Sequence, residues 1–265
     1  MWQEDRRRRI RSMLATFGTL SVDRATAELG VSRETIRRDL LDMELGGELR
    51  RVRGGAVGLE PAREAPYSVR ATVRLREKRM IAREAAAMIR PGQMLFLDAG
   101  STTAILAEHL AQLHGILVVT NSIDVASRIA TPDSLRKRGN QVVLLGGAFG
   151  AQPPATFGTA TLRDIARYRA DVALLSPFGL DAEAGATSYD PNEAEIARAM
   201  FRHARQRILM ADHTKLGLVS RVSYCRTAEA DLILVDDRAG SLAALDAVRA
   251  ANPNVRQAER RRATG

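Results

Sequence analysis

The chain predicts an α/β protein: an N-terminal winged helix-turn-helix, followed by a larger α/β domain with a mainly parallel sheet. Three observations carry this. Apolar residues recur at helical spacing in three short segments before residue 45, and a Gly-Gly hairpin follows them. Beyond residue 90, short continuous apolar runs alternate with amphipathic stretches, as in strands buried on both faces between helices. The 265 residues also exceed the commonest size of a single domain.

In the first segment Ile10, Met13, Leu14 and Phe17 share a helix face, and Gly18 ends it. Ser21 is placed to cap a second helix with Val22, Ala25, Thr26 and Leu29 turned inward. Gly30 supplies the left-handed residue of a tight turn, and Val31 plugs the corner. Ser32 caps a third helix whose buried stripe is Ile36, Leu40 and Met43. Glu34, Thr35, Arg38 and Asp42 then point away from that stripe. A polar, cationic helix face suits the DNA major groove, where Arg reads guanine or clamps phosphate. Gly54 and Gly55 are expected to supply the positive backbone angles of a hairpin, lined by Arg50, Arg51 and Arg53 as a small wing. A solvated helical domain explains any single Arg as well, but it does not explain the whole constellation.

Leu59–Pro66 has two prolines and no apolar period, so a linker is expected over 59–68 between a DNA-binding unit (1–58) and a second domain (69–250). A helix is expected over about 69–90, with Ile81, Ala85, Met88 and Ile89 on its apolar side. Expected strands are Met94–Asp98, Leu117–Thr120, Val142–Leu145, Val172–Leu175, Ile208–Ala211 and Leu232–Val235. Helices are expected at Thr103–Leu110, Ile123–Ile129, Leu162–Tyr168 and Pro191–Ala204. The polar stretch 251–265 has no periodicity and reads as a basic, disordered tail.

Ligands of parallel sheets bind at the C-terminal strand ends. There the chain places Asp98, Gly100, Ser101, Thr102 and Thr103 in one strand-to-helix loop, which reads either as a capped turn or as an anion-binding loop. It lacks the Gly-Lys-Ser/Thr ending of a nucleotide-hydrolysing loop. Thr120 and Asn121 end the next strand, where Asn can meet a sugar hydroxyl or cap a helix. Asp181 and Asp212 can accept from ligand hydroxyls, and Lys215 can neutralise a phosphate.

The formal charge of +9 favours an anionic partner. The charged N-terminus has no signal-peptide core and no apolar run is long enough to span a bilayer, so a cytoplasmic protein without membrane contact is expected. The lone Cys225 reads as inert packing, and the four histidines show no ligand-like spacing, so neither metal nor cofactor is expected.

Val31–Leu40, Leu41–Gly46 and Arg53–Ala56 resemble the winged-helix signature of the DeoR family of bacterial transcriptional regulators. Asp98–Thr103, Val118–Ser122, Leu144–Gly147 and Asp212–Gly217 resemble landmarks of that family's effector domain, so the resemblance covers about residues 5–237. It implies an operator-binding repressor with Ser32, Arg33, Thr35, Arg37 and Arg38 at recognition positions. It also implies a domain similar in fold to ribose-5-phosphate isomerase and CoA-transferase proteins, sensing a phosphorylated sugar or related metabolite. One departure is Ser176-Pro-Phe-Gly179, where smaller, Gly-containing residues are expected. Paired half-sites imply a homo-oligomer, dimer or tetramer. Two other functions compete: a sugar-phosphate isomerase using Asp181 or Glu183 as base with a fused DNA-binding domain, and a nonspecific architectural DNA binder.

Overall fold

The computed structural model describes residues 2–17, 19–52, 54–58 and 66–259. Gly18, Arg53, the linker stretch 59–65 and the end of the chain from 260 lie outside the described residues, as does the side chain of Phe17. The chain forms two compact units, Met1–Ala65 and Pro66–Gly265.

In the first unit three helices, α1 (Gln3–Phe17), α2 (Val22–Leu29) and α3 (Arg33–Leu45), surround one apolar cluster. Ile10, Ala25, Ile36 and Met43 are fully buried in it, as their spacing requires. Ser21 caps α2 by accepting from the Arg24 amide at 3.1 Å, and Ser32 caps α3 by accepting from the Thr35 amide at 3.1 Å. Gly30 between them sits at φ 65°, the left-handed conformation glycine adopts without a Cβ penalty. Strands β2 (Leu49–Val52) and β3 (Gly55–Gly58) form the hairpin. A third strand, β1 (Thr19–Ser21), pairs with β3 and was not expected from the sequence, since three residues carry no readable period.

Gly54 has φ 87°, but Gly55 does not share the positive angle expected of it. It is an ordinary strand residue, and its lack of a side chain serves close approach instead. A Cβ there would fall 2.1 Å from the Leu20 carbonyl oxygen on β1. Asp42 departs too: it is half-buried and accepts from Arg7 at 2.6 Å, because α1 packs along that flank of α3.

The second unit contains a wholly parallel seven-stranded sheet. Its strands are β4 (Met94–Leu97), β5 (Leu117–Thr120), β6 (Gln141–Leu144), β9 (Ala170–Leu175), β12 (Ala204–Ala211), β14 (Leu232–Val235) and β15 (Val255–Gln257). Their spatial order is β15-β14-β12-β9-β4-β5-β6. Side chains alternate across it. Leu95, Leu97, Val172, Leu174, Ile208 and Met210 pack into one cluster, while Phe96, Ala173, Leu175, Leu209 and Ala211 pack into another. Helices α5 (Leu75–Ala87) and α6 (Ser101–Leu110), with α7 (Ile123–Ile129), cover the first face. Helix α9 (Pro191–Arg202) and α10 (Ala243–Ala251) cover the second. The central strands β4, β5, β9 and β14 are mostly apolar because both of their faces are covered, whereas the edge strands β6 and β15 and the start of β12 carry exposed residues.

From β4 the chain runs outward through β5 and β6, then returns to lay β9 on the opposite side of β4. The crevice between the C-terminal ends of β4 and β9 is therefore the topological switch point.

Three expectations are corrected. The helix over 69–90 is two helices, α4 (Tyr67–Thr72) and α5, separated at Val73 and Arg74. Arg74 takes φ 54°, the single positive φ of a non-glycine residue among those described. The adjacent β-branched Thr72 and Val73 weaken the helix there, but no Gly or Pro marks the break. Residues 255–257, expected in a disordered tail, form edge strand β15 on β14. Backbone pairing holds a polar segment that has no apolar pattern of its own. Finally, the second unit carries small antiparallel sheets outside the main one: the β7 (Ala148–Ala151) and β8 (Pro154–Phe157) hairpin, and β10 (Gly179–Asp181), β11 (Gly185–Ser188) and β13 (Val222–Cys225).

Candidate nucleic-acid interface and anion-binding crevice

The outward side of α3 is set by what holds its inner side. Asp39, only 2% exposed, accepts from Arg6 Nε at 2.7 Å and from its NH2 at 3.0 Å, a bidentate clamp of α1 on α3. Arg7 fixes Asp42, and Arg11 grips Glu48 in a second fork at 2.7 and 3.3 Å. These acidic residues face α1, so the rest of α3 is left to solvent. Arg37 and Arg38 are exposed there and make no hydrogen bond or ion pair among the described residues. Ser32 is exposed, and its hydroxyl lies 2.8 Å from that of the half-buried Thr35 at the helix N-terminus. Arg33 is exposed but pairs with Asp23 of α2. Arg51 is exposed on β2, its amide donating to Glu44 at 2.6 Å. The expected wing residue Arg53 lies outside the described residues. An exposed helix N-terminus with unengaged guanidinium groups, beside a basic β-ribbon, is a surface complementary to duplex DNA.

The switch point of the second unit gathers a different chemistry. Asp98 leaves β4 and accepts from the Ser176 amide, at the end of β9, at 2.9 Å. Its Oδ1 is buried and makes no hydrogen bond, while the single Thr103 hydroxyl proton lies within reach of the Asp98 and Gly100 carbonyls, 2.9 Å from each. Burial pushes the Asp98 carboxyl up to about 6, against the opposing pull of the Ser176 amide, Thr103 and Lys215. Gly100 caps α6, its amide donating to Thr103 Oγ1 at 2.9 Å. A side chain at Gly100 would press on Thr103 Oγ1 at 3.1 Å and on Ser176 Cβ at 3.3 Å.

Two lysines converge here. Lys78, on the inner face of α5 and 3% exposed, donates to Ser101 Oγ at 3.0 Å and to the Arg70 carbonyl at 2.5 Å. Burial, then the charge of Lys215, lowers its ammonium to about 8. Lys215 follows β12 and donates to Ser176 Oγ at 3.1 Å and to the Pro177 carbonyl. Asp212 lies between them, 3% exposed. Burial alone would raise its carboxyl, yet Lys215, the Thr214 hydroxyl, Arg74 and Lys78 together hold it below the ordinary value. Arg74 reaches it at 3.9 Å, which its left-handed backbone makes possible. One buried and one half-buried ammonium beside a helix N-terminus make this end of the crevice electrostatically favourable to an anion.

The structure thus brings Asp98, Gly100, Ser101, Thr103, Asp212 and Lys215 together. Thr102 is buried on the same turn, its hydroxyl without a partner. Thr120 is fully buried and occupied between the Leu97 carbonyl at 2.8 Å and the Ser122 amide at 3.0 Å, a fixture of the β4–β5 pair. Asn121 donates to the Thr156 carbonyl at 3.0 Å and keeps a buried, unpartnered Oδ1. Asp181 stands apart: its carboxylate accepts from the Glu183 and Ala184 amides and shapes the β10–β11 turn. Lys78, Arg74 and Ser176 were missed. For Lys78 a signal existed, since it lies three residues before Ile81 on the apolar face of α5, where a charge needs a purpose.

Cys225 is buried, and burial raises its thiol to about 12, so it is inert packing. Among the described residues no cluster of His, Cys, Asp or Glu could hold a metal, and no helix is long and apolar enough to cross a membrane.

A DeoR-like helix-turn-helix domain model matches residues 6–62, and a DeoR C terminal sensor domain model matches residues 73–237. The chain is 33% identical over 238 residues to the HTH-type transcriptional repressor GlcR of Bacillus subtilis, covering 89% of each. It is 34% identical to the HTH-type transcriptional regulator GlpR of Haloferax volcanii, covering 89% of this chain and 91% of that one. It is 28% identical to the glycerol-3-phosphate regulon repressor of Escherichia coli, over 89% and 92%. Among solved structures, ribose 5-phosphate isomerase from Methanocaldococcus jannaschii aligns at TM-score 0.35 and 16% identity, covering 52% of each chain. The full-length relatives are transcriptional regulators, which sets aside the isomerase reading of the sequence. With a helix-turn-helix unit and a sensor unit each matched along most of its length, the chain belongs to the DeoR family: it is a DNA-binding transcriptional regulator and not an enzyme.

Proposed function

We propose that the protein is a cytoplasmic, homo-oligomeric repressor of a sugar or polyol operon, released or tightened on its operator by a phosphorylated sugar or related metabolite. The observation that carries this reading is the convergence of two lysines at the sheet's switch point: the buried Lys78 on Ser101 at the N-terminus of α6, and the half-buried Lys215 on Ser176. Two ammonium groups beside a helix N-terminus favour a negatively charged ligand. In this reading Asp98, Gly100, Ser101, Thr102, Thr103, Asn121 and Asp212 surround the ligand, with the unpartnered Oδ1 atoms of Asp98 and Asn121 facing its hydroxyls. Asp181, committed to its own turn, falls outside that set, and Thr120 supports it from beneath. The E. coli relative represses a glycerol-3-phosphate regulon, which supports a small phosphorylated polyol as the first ligand to test.

Ser32, Arg33, Thr35, Arg37, Arg38, Arg51 and Arg53 are the proposed operator contacts. Arg33 must leave Asp23 to serve, whereas Arg37 and Arg38 need no such exchange. Binding at the crevice with different affinity in two states must change operator affinity by the same factor. The test combines thermal shift with gel shift on the promoter regions beside the gene. Glycerol 3-phosphate and hexose phosphates should raise the melting temperature and change operator affinity, while the unphosphorylated compounds should do neither. Arg38→Ala should weaken operator binding and leave the melting temperature unchanged. Stabilisation by unphosphorylated sugars alone, or specific DNA binding indifferent to Arg38, would overturn the reading.

A further inference from the structure

Ser176 directly follows β9, at the point where the chain departs from the small, Gly-containing residues expected before Gly179-Leu-Asp181. Its surroundings give that departure a purpose. The backbone amide of Ser176 binds Asp98 Oδ2 at 2.9 Å, fixing the end of β9 to the end of β4 across the switch point. Its hydroxyl receives Lys215 Nζ at 3.1 Å, with the adjoining Pro177 carbonyl as a second acceptor. Its Cβ stands 3.3 Å from where a side chain on Gly100 would begin, so it also forms the wall of the crevice facing the N-terminus of α6.

A lysine side chain is a flexible four-carbon stem, and holding its ammonium in one place costs rotamer entropy. The Ser176 hydroxyl shares that task with the Pro177 carbonyl, and it is the part of the hold that a side-chain substitution can remove. Resting on the anion-crevice reading above, we propose that Ser176 is a positioning residue for anion recognition: its hydroxyl fixes the Lys215 ammonium at the rim of the crevice, so that a phosphate group meets a preorganised cation. The serine acts through Lys215 and need not touch the ligand. A glycine at this position leaves the Asp98 anchor in place, since that bond uses the backbone, and removes only the tether. The chain therefore gains anion affinity through one hydroxyl without altering the loop that carries it.

The geometry separates the two roles of Ser176 experimentally, because Ser176→Ala and Ser176→Gly both keep the amide that anchors Asp98. The experiment is a calorimetric titration of the full-length protein with inorganic phosphate, for wild type, S176A, S176G, K215A and the S176A/K215A double variant, with melting curves of each. Loss of one hydrogen bond of ordinary net strength, with the Pro177 carbonyl still in place, predicts phosphate binding weaker by about five- to tenfold in S176A and S176G. In the K215A background S176A should have no further effect, the signature of a residue acting through its partner. A weakening by S176A that persists in full without Lys215 would make Ser176 a general structural support and overturn the proposal. So would phosphate affinity unchanged in both S176A and S176G while K215A abolishes binding, an outcome that leaves the anion crevice standing. Absence of phosphate binding by the wild type, or binding indifferent to K215A, would remove the crevice reading and this inference with it.

Discussion

Lys78 is a lysine placed where the sequence pattern asks for an apolar residue, and its chemistry follows from that position. Burial lowers its ammonium to about 8, with Lys215, Arg70 and Arg74 adding to the shift and Asp212 opposing it. Between about 8 and its ordinary value of 10.5, the unfolded chain retains a proton that the folded chain has released. Its contribution to stability therefore rises with pH across that window, and below it the buried charge works against folding. An anion in the crevice reverses the bias by favouring the charged form. Sulfate, whose charge is constant over this range, should bind more weakly as the pH passes upward through about 8, and Lys78→Met should flatten that profile. Titration calorimetry at several pH values checks this. A wild-type profile that stays flat from pH 7 to pH 9 would remove Lys78 from the anion site.

At the scale of elements, the arrangement of α1 on α3 decides which side of α3 is left to solvent. The apolar stripe Ile36, Leu40 and Met43 fixes the helix rotation only to within the width of the core. The clamp from Arg6 to Asp39, with its partners 12% and 2% exposed, narrows it further. Removing Asp39 takes the bidentate acceptor from the half-buried Arg6 and costs about 2 kcal/mol. Asp39→Ala should therefore melt the first unit early and abolish operator binding, while the second unit keeps its thermal response to phosphate esters. Circular dichroism melting with and without ligand separates the two effects. A full-strength gel shift by D39A would show that the clamp is dispensable.

The break between α4 and α5 is an element-scale feature with a consequence at the crevice. A continuous helix over 69–90 would deny Arg74 the left-handed backbone from which it reaches Asp212. Non-glycine residues hold such a conformation only where the surroundings over-determine it. The strain sits at the same strand ends as the two lysines, so the segment ahead of α5 belongs to the crevice as much as to the scaffold.

For the whole molecule, two units with separate cores, joined by one segment of chain, can communicate only by linkage. A ligand that binds one conformation or assembly better shifts the other site by its differential affinity and no more. Symmetric pairing of the first unit on DNA would place recognition helices one helical turn apart, about 34 Å, or a multiple of it. A footprint of the operator should accordingly show two protected half-sites at that period. Affinity should fall steeply with salt while the ratio of specific to nonspecific binding stays large. A single unpaired footprint, or a ratio near one, would instead support the architectural binder.

Much of this was legible in one dimension. The Ser21 and Ser32 caps, the left-handed Gly30 and the buried stripe of α3 are local devices, and each is set by residues within one turn of the chain. The strands Leu117–Thr120 and Leu232–Val235 stand as expected, because a doubly covered sheet writes itself as continuous apolar runs. The strands of the small antiparallel sheets and β15 were not legible, since their pairing depends on partners that no period announces. Gly55 was read as a turn residue because sequence does not show that β1 lies 2.1 Å from its absent Cβ.

What the sequence determined by itself was the list of local parts: a capped basic helix behind a glycine turn, a basic hairpin, a strand-to-helix loop rich in hydroxyls, and the lysine after β12. Tertiary structure alone decided which of these meet. It laid β9 against β4, so that Ser176 lies beside Asp98 and Lys215, residues 78 and 39 positions away in the chain. It turned Asp181 into its own hairpin and brought the unforeseen Lys78 to Ser101. The physical reason is that caps and turns are satisfied by neighbours a few residues off, while a buried charge such as Lys78 also needs groups that other elements deliver.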